Sequence, residues 1–382
     1  MAAARSRTPL RVGIVGCGVI CGQYLRSCRT FETLEVVAVA DLDLERARRR
    51  AEEHGVPRAG PVDSLLRDPD IDLVINLTVP RAHAEVSRAV LEAGKAVYSE
   101  KPLALDRDEG RALVEFAEAR GVPIGCAPDT FLGAGLQTCR EAIDAGAIGR
   151  PLSAHAHLAS RGPEAWHPDP AFFYAAGAGP LFDIGPYYVT ALASLLGPVA
   201  SVAGVAATGL TERVIGSQPL AGTVIRPEAP THVVALLQFV SGAVATLTTS
   251  FDVVATEVPR LEIHGTEGTL SAPDPNTFGG PVRLRTLRDE TWRELPLRAG
   301  PTEAIRGLGA AELAEAVREG RPHRAGGRLA LHVLDVMQTI LEAAEARRWL
   351  PVASHVERPA ALPKGTPVRR TTEARERSGA DA

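Results

Sequence analysis

Lys101 stands just past a short apolar run, Ala96–Ser99, and just before Pro102. Proline restricts the residue that precedes it, so this ammonium is held in one direction, from which it can hydrogen-bond an oxygen and bias nearby ionisable groups. Asp183 and Tyr187 are four residues apart in a stretch of helical periodicity, a spacing that puts both side chains on one face. A carboxylate there can orient a partner, and a phenol can move a proton. The phenol has an ordinary pKa of about 10 and needs lowering to work near neutrality, which a nearby ammonium does. For Asp183 a plain helix N-cap is the alternative, and for Tyr187 a packed aromatic. His167, in Ala165-Trp-His-Pro-Asp-Pro170, is a loop histidine able to titrate near neutrality; a purely structural histidine competes with that reading.

A second set of residues suits a nucleotide. The run Val12 to Val15 ends in glycines at Gly16 and Gly18, followed by Val19, Ile20 and a helix-compatible segment. This is the strand, tight turn and helix start of a dinucleotide-binding unit, with Gly16 for the turn and Gly18 for close approach of a pyrophosphate. The third fingerprint position holds Cys21 rather than glycine or alanine, a small residue that still lets helix and strand lie close. Asp41 ends the next apolar run, 23 positions after Gly18, near the spacing expected of a carboxylate that binds the adenosine ribose. It favours NAD(H) over NADP; a helix N-cap for Leu44 to His54 is the other reading. The arginines from Arg46 to Arg50 read as a solvated helix face. His83, just after Pro80 and Arg81, falls where a cofactor would pass, or else merely starts a helix. His155 and His157 share a strand face, but without a nearby carboxylate or cysteine set no metal is expected.

These residues need elements to hold them. Strand-like runs at Leu34 to Asp41, Asp72 to Leu77, Ala96 to Ser99 and Val122 to Cys126 alternate with helical segments at Pro80 to Glu92 and Asp106 to Ala119. That alternation predicts a parallel sheet with helices on both faces, whose ligands sit beyond the carboxyl ends of the strands. From Phe131 the texture changes. A helix over Leu132 to Ala147 and a strand over Ser153 to Ala159 precede a loop rich in proline, glycine and aromatics, Arg161 to Pro180; helical periodicity then covers Leu181 to Leu196. Consecutive strands follow between Val199 and Thr286, two of them joined by the hairpin signal Ser241-Gly242, and predict an antiparallel sheet in an α+β domain. A sheet with helices on one face only hints at a partner subunit. Helices over Glu303 to Glu319 and Arg328 to Arg347 close the fold. The expected division is 9–127, 128–362, and a disordered tail over 363–382.

Composition excludes other classes. The chain is 45% hydrophobic and 23% charged with a formal net charge of −4, an ordinary globular profile without the basic footprint of a nucleic-acid binder. No apolar run is long enough to span a bilayer. With no signal-peptide pattern, the expected location is the cytoplasm. Five cysteines without C-x-x-C spacing are expected to be reduced core residues rather than a disulfide or zinc framework.

The glycine turn at Gly16 and Gly18, Thr78-Val-Pro-Arg-Ala-His83, Glu100-Lys-Pro102 and Gly177-Ala-Gly-Pro-Leu-Phe-Asp-Ile-Gly185 together resemble the glucose–fructose oxidoreductase / inositol dehydrogenase / rhizopine-catabolism (Gfo/Idh/MocA) family, over roughly Leu10 to Val352. The resemblance implies a Rossmann domain with a parallel sheet, followed by an α/β domain with a large, mainly antiparallel open sheet that commonly mediates oligomerisation, as dimer or tetramer. It places Lys101 beside a nicotinamide and a substrate hydroxyl, and Thr78, Pro80, His83 and Glu100 along the cofactor. The family's Asp-x-Gly-x-His motif is matched by Asp183 and Gly185, but the histidine position holds Tyr187. The expected chemistry is hydride transfer between NAD(H) and a secondary hydroxyl or ketone of a sugar, cyclitol or glycoside, with Lys101 and Tyr187 at the reacting oxygen, Asp183 orienting, and His167 an alternative proton carrier. Two further readings stay open: an enzyme that retains NAD and uses transient oxidation for elimination, epimerisation or glycoside cleavage, and a non-catalytic NAD-binding regulator.

Overall fold

A computed structural model describes residues 8–363, so the tail expected over 363–382 lies, save for its first residue, outside the described residues. Two compact units form. One contains the chain up to Leu132 together with Ala299–Ala330; the other contains Gly133–Arg298 and Leu331–Ala361. The division expected from sequence was continuous, whereas the first unit here takes in a later segment.

The first unit is built on six strands, β1 (Leu10–Val15), β2 (Leu34–Ala40), β3 (Arg58–Gly60), β4 (Leu73–Asn76), β5 (Ala96–Ser99) and β6 (Ile124–Cys126), in the order β3-β2-β1-β4-β5-β6. Every pairing is parallel. All residues of β4, β5 and β6 are buried, as parallel strands covered on both faces must be. The connecting helices are α1 (Cys21–Cys28), α2 (Leu44–Glu53), α3 (Val62–Arg67), α4 (His83–Glu92) and α5 (Arg107–Arg120). Asp43 caps α2 and Asp106 caps α5, each carboxylate accepting two first-turn N–H groups. The short β3 and α3 carry no clear periodicity and are not foreseen by it.

The second unit begins with α6 (Ala134–Asp144) and β7 (Pro151–Ala159). The helix expected over Leu181 to Leu196 is two elements, α7 (Pro180–Asp183) and α8 (Gly185–Leu196), with a break at Ile184. Pro186 sits in the first turn of α8, where its missing N–H costs nothing. Strands β8 (Val199–Ala207), β9 (Arg213–Val214), β10 (Val224–Ile225), β11 (His232–Phe239), β12 (Val244–Ser250), β13 (Leu261–Gly265), β14 (Gly268–Ala272), β15 (Val282–Thr286) and β16 (Arg293–Leu295) follow; then come α9 (Leu308–Glu319), α10 (Gly327–Ala346) and β17 (Leu350–Pro351). Nine of these strands form one sheet ordered β16-β15-β14-β13-β7-β12-β11-β8-β17, antiparallel except at β7–β12, while β9 and β10 make a separate ribbon. Burial alternates strictly along β11: Val233, Ala235, Leu237 and Phe239 are buried, and Val234 and Leu236 are exposed. No helix among the described residues is long and apolar enough to cross a membrane. All five cysteines are buried and free.

Candidate functional site

The carboxyl ends of β1, β2, β4 and β5 carry the residues singled out for nucleotide chemistry. After β1 the chain turns at Gly16, whose φ is +96° and whose N–H donates to the Ala40 carbonyl at 2.8 Å. A Cβ here would lie 2.6 Å from the Leu77 carbonyl carbon and oxygen, so only glycine fits. Gly18 is the opposite case: a Cβ there would meet nothing within 4 Å. Val19 beside it is 90% exposed, and no side chain caps the start of α1 at Ile20. An open glycine facing an uncapped helix N-terminus is a cradle for a pyrophosphate, and these residues fit a dinucleotide. Cys21, in the third fingerprint position, opens α1 fully buried.

Asp41, just past β2, accepts the Cys17 N–H at 2.7 Å and the Asp43 N–H at 2.9 Å. Burial pushes its carboxyl up, but hydrogen bonds from Arg46, Asp43 and Cys17 outweigh burial and hold it below the usual carboxylate range. The cap of α2 is Asp43, so the N-cap alternative for Asp41 is removed. Arg46, Arg48 and Arg49 are exposed, as the solvated-face reading expects, but two arginines of the run also have partners at the strand end. Arg48 is a surface residue paired with Glu45, but Arg46 pairs with Asp41, and Arg50 reaches the Cys17 and Gly18 carbonyls at 3.4 Å each. Two arginines one turn apart therefore face the glycine turn. An acid at a strand end with a cation five residues on was the available signal.

At the end of β4, the buried Asn76 accepts the Thr78 hydroxyl at 2.7 Å and donates to Ser87 and the His83 carbonyl at 3.0 Å each. Pro80 opens an exposed 3-10 turn. His83, expected along the cofactor, is 1% exposed. Its ring nitrogens lie 2.6 Å from the Pro102 carbonyl and 2.9 Å from the Thr78 carbonyl. Burial pushes its pKa down, and the two carbonyls oppose that. The ring thus sits between two strand-end loops and, when neutral, donates to one of their two carbonyls.

Lys101 follows β5 with a cis peptide to Pro102. Glu100 is built in beneath it: Oε1 accepts the Tyr24 hydroxyl at 2.8 Å, and Oε2 accepts the Lys101 N–H at 3.0 Å. The buried Tyr24, the Glu100 carboxylate and the His83–Pro102 bond together fix the backbone from which the Lys101 ammonium projects.

In the second unit, Asp183 ends α7 and Tyr187 lies in the first turn of α8, its N–H bonded to the Ile184 carbonyl at 3.0 Å. The break between them means that a single-helix spacing does not set their relation. Asp183 does not cap α8, whose N-cap position is Ile184. Tyr187 is buried. His167 lies in the loop between β7 and α7, its ring 5.2–5.5 Å from those of Trp166, Phe172 and Phe173. Its Nδ1 accepts the Asp169 N–H at 3.1 Å, which leaves the proton of the neutral ring on Nε2. That loop is clamped by a residue the sequence did not signal. Arg213 has a side-chain exposure of 0% and pairs with Glu164 and Asp252, each at 2.6 Å. Glu164 also accepts the Tyr174 hydroxyl, and the Ser217 hydroxyl donates to the His167 carbonyl. His155 bonds Thr246 at 2.7 Å and stacks edge-on with His264; no three metal-ligating groups cluster among the described residues.

Two family models match. That of an oxidoreductase family with an NAD-binding Rossmann fold covers residues 10–127, and that of the GFO/IDH/MocA C-terminal domain covers 136–271. The chain is 29% identical to 1,5-anhydro-D-fructose reductase of Ensifer adhaerens, over 75% of this chain and 83% of that protein. It is 36% identical to inositol 2-dehydrogenase 3 of Saccharopolyspora erythraea, over 41% of this chain and 48% of that one. Among solved structures, levoglucosan dehydrogenase in complex with NADH and levoglucosan superposes with a TM-score of 0.79 over 91% of this chain and 100% of that one, at 22% identity, a likeness of fold. The matched segments contain the glycine turn, Lys101, Asp183 and Tyr187, and this chain belongs to the Gfo/Idh/MocA family of NAD-dependent oxidoreductases.

Proposed function

We propose that this enzyme oxidises a secondary alcohol, or reduces the matching ketone, on a sugar, cyclitol or glycoside. The observation that carries the reading is the seating of Lys101. A lysine whose backbone is held by Glu100, itself bonded to Tyr24, and whose following residue Pro102 is bonded to His83, stands at a strand end of the same sheet whose glycine turn suits a dinucleotide. Bound nicotinamide supplies the hydride acceptor or donor. Alcohol oxidation then leaves one task to the protein, removal of the hydroxyl proton while negative charge develops on oxygen, and a fixed ammonium hydrogen-bonded to that oxygen stabilises the charge. Tyr187, Asp183 and His167 are proposed as the second unit's substrate-contacting residues, with Tyr187 standing where the family motif has histidine. The names of the relatives, an anhydrofructose reductase and an inositol dehydrogenase, support a polyhydroxylated ring as substrate.

Net accumulation of reduced nicotinamide with a panel of polyols tests the reaction and separates it from a redox-neutral cycle. Lys101→Met is expected to lower turnover by about 10²–10⁴-fold while NADH affinity stays within about threefold; retained turnover removes Lys101 from the mechanism. The pH–rate profiles of Tyr187→Phe and His167→Ala decide between the two proton carriers, because only loss of the true carrier abolishes a limb of the profile. The exposed apolar face of the nine-stranded sheet, with Val205, Val234, Leu236 and Val244, supports a homo-oligomer, which sedimentation equilibrium tests.

A further inference from the structure

The loop from Arg161 to Pro180 carries an aromatic surface open to solvent. Trp166 is 68% exposed and Phe172 52%, and between them lies the half-buried His167. The His167 ring stands edge-on to Trp166, Phe172 and Phe173, at centroid distances of 5.5, 5.3 and 5.2 Å. Phe172 and Phe173 lie 4.0 Å apart, tilted by 30°. Aromatic rings of a core turn inward, as Tyr174 does against Ile215, Ile225 and Phe251. Rings grouped on a surface mark a place where something binds.

This surface is held in one shape. Between β8 and β11 the chain leaves the nine-stranded sheet for the β9–β10 ribbon, and the ribbon supports the loop. The Gly216 and Ser217 N–H groups donate to the Glu164 carbonyl at 2.9 and 3.2 Å, the Ser217 hydroxyl donates to the His167 carbonyl, and Arg213 pairs with the Glu164 carboxylate at 2.6 Å. The backbone then runs straight into the candidate site. The Gly179 N–H donates to the Phe173 carbonyl at 2.9 Å, and the Asp183 N–H donates to the Gly179 carbonyl at 3.0 Å, so two hydrogen bonds join the platform to Asp183. His167 Nδ1 accepts the Asp169 N–H, and the neutral ring keeps its proton on Nε2. The platform therefore offers apolar ring faces together with one N–H donor.

A saturated ring with hydroxyls on its rim has the complementary form: its C–H face lies on an aromatic face, and its oxygens reach a donor at the edge. We propose that Trp166, His167, Phe172 and Phe173 form a subsite for a second sugar ring, so that the substrate is a disaccharide or longer glycoside rather than a free sugar or cyclitol. The proposal rests on the reading above, in which Asp183 and Tyr187 hold the ring that is oxidised; the platform takes the ring glycosidically linked to it. His167 donates from Nε2 to an oxygen of that second ring, and the proton of the reacting hydroxyl is left to Tyr187. A flat apolar ligand stacks on the same faces but gives the His167 N–H no acceptor, which favours the sugar as occupant.

Calorimetric titration of the full chain, in the presence of NADH, with maltose, cellobiose and lactose and with glucose and galactose reads this without turnover. At least one disaccharide is expected to bind about tenfold or more tightly than its component sugars. Trp166→Ala and Phe172→Ala, both at exposed positions, are expected to bring that ratio to within about threefold. Replacing Trp292 and Trp349 by phenylalanine leaves Trp166 as the one tryptophan of three, and its emission is expected to shift with the disaccharide and not with the single sugars. The proposal is overturned by disaccharides that bind no more tightly than their component sugars, or by an unchanged ratio in both alanine variants. It is overturned also if phenyl β-D-glucoside binds more tightly than cellobiose and loses that advantage in Trp166→Ala, which makes the platform an apolar surface, or if Trp166→Ala alters the sedimented mass and not the ratio, which makes it a contact between copies. Each of these results leaves oxidation of a single ring standing. Failure of any sugar or polyol to yield reduced nicotinamide, while Trp166 still responds to the disaccharide, removes the oxidoreductase reading and leaves the subsite.

Discussion

The glycine turn of the first unit and the loop from Arg161 to Pro180 in the second are both irregular backbone at strand ends, and opposite means hold them. The turn is organised by backbone groups and glycines: Gly16 donates to the Ala40 carbonyl, Cys17 donates to the Asp41 carboxylate, and the arginines that reach it, Arg46 and Arg50, come in from α2 on its outside. The loop is organised from within by a buried charge. Arg213 holds Glu164 from the loop and Asp252 from the end of β12, donates to the Arg161 and Phe251 carbonyls, and lies 5.1 Å over the Tyr174 ring. Asp252 in turn accepts the Thr231 hydroxyl and the Gly209 N–H. A site for a fixed ligand such as a dinucleotide can be made by local backbone geometry. A loop that displays Trp166 and His167 needs an anchor elsewhere in the chain.

The sharpest way to break this contrast is to remove the anchor. Arg213→Met leaves two carboxylates, each with only 12% side-chain exposure, without their cation. Truncating one partner of a buried pair costs about 3–5 kcal/mol, so chemical denaturation is expected to show a loss of that size. Arg213→Lys restores the charge but not the fork that spans both acids and two carbonyls, and is expected to recover only part of it. A loss under about 1 kcal/mol, the value of an exposed pair, shows that the loop is held by something else.

Two buried clusters, one in each unit, are also expected to answer acid differently. In the second, His332 Nε2 accepts the Val199 N–H at 3.0 Å and Nδ1 lies 2.9 Å from the Ser354 hydroxyl. Burial holds its pKa down at about 4, against an ordinary 6.5. The unfolded chain therefore takes up this proton first, and the contribution of the neutral ring is full above 6.5 and lost as pH falls toward 4. The loss is on the order of 3 kcal/mol. In the first unit, burial pushes Glu312 up, but its bonds from His323, Arg321 and Arg324 outweigh that and hold it at about 2. Its contribution is full above 4.5 and is lost only as pH falls from there toward 2. Hydrogen exchange at about pH 5 is expected to show the backbone around His332 loosened and that around Glu312 intact. Equal loosening of both removes the distinction.

What was legible in the sequence follows the same contrast. Gly16, Gly18 and Asp41 fall at spacings dictated by one βαβ unit, and the strand ends carrying Thr78 and Lys101 come from short apolar runs bounded by polar residues. Each rests on periodicity within a few dozen residues. Arg213 is 49 residues from Glu164 and 39 from Asp252, lies in a two-residue strand, and has no local pattern to mark it. The break at Ile184 was hidden because Pro180 and Pro186 are each allowed in a helix first turn, so one long helix and two short ones read alike. Arg46 is exposed, as an arginine among arginines on a polar helix is expected to be, but its pairing shows only once Asp41 is placed opposite it.

The smallest expected effects separate the two glycines of the turn. Gly16→Ala puts a methyl group against the Leu77 carbonyl at a φ of +96°, and the strain is expected to cost about 1–3 kcal/mol, read as a lowered melting temperature. The displaced backbone carries Thr78, so NADH affinity should fall along with stability. Gly18→Ala meets nothing within 4 Å, and its stability is expected to stay within about 0.5 kcal/mol of the wild type. With the pyrophosphate seated on this turn as proposed, the added methyl group takes space the ligand needs, and NADH affinity should drop at least tenfold. A Gly18→Ala variant that binds NADH normally would move the pyrophosphate off this turn, and packing against Leu77 would then account for Gly16 and leave Gly18 without a role in the turn.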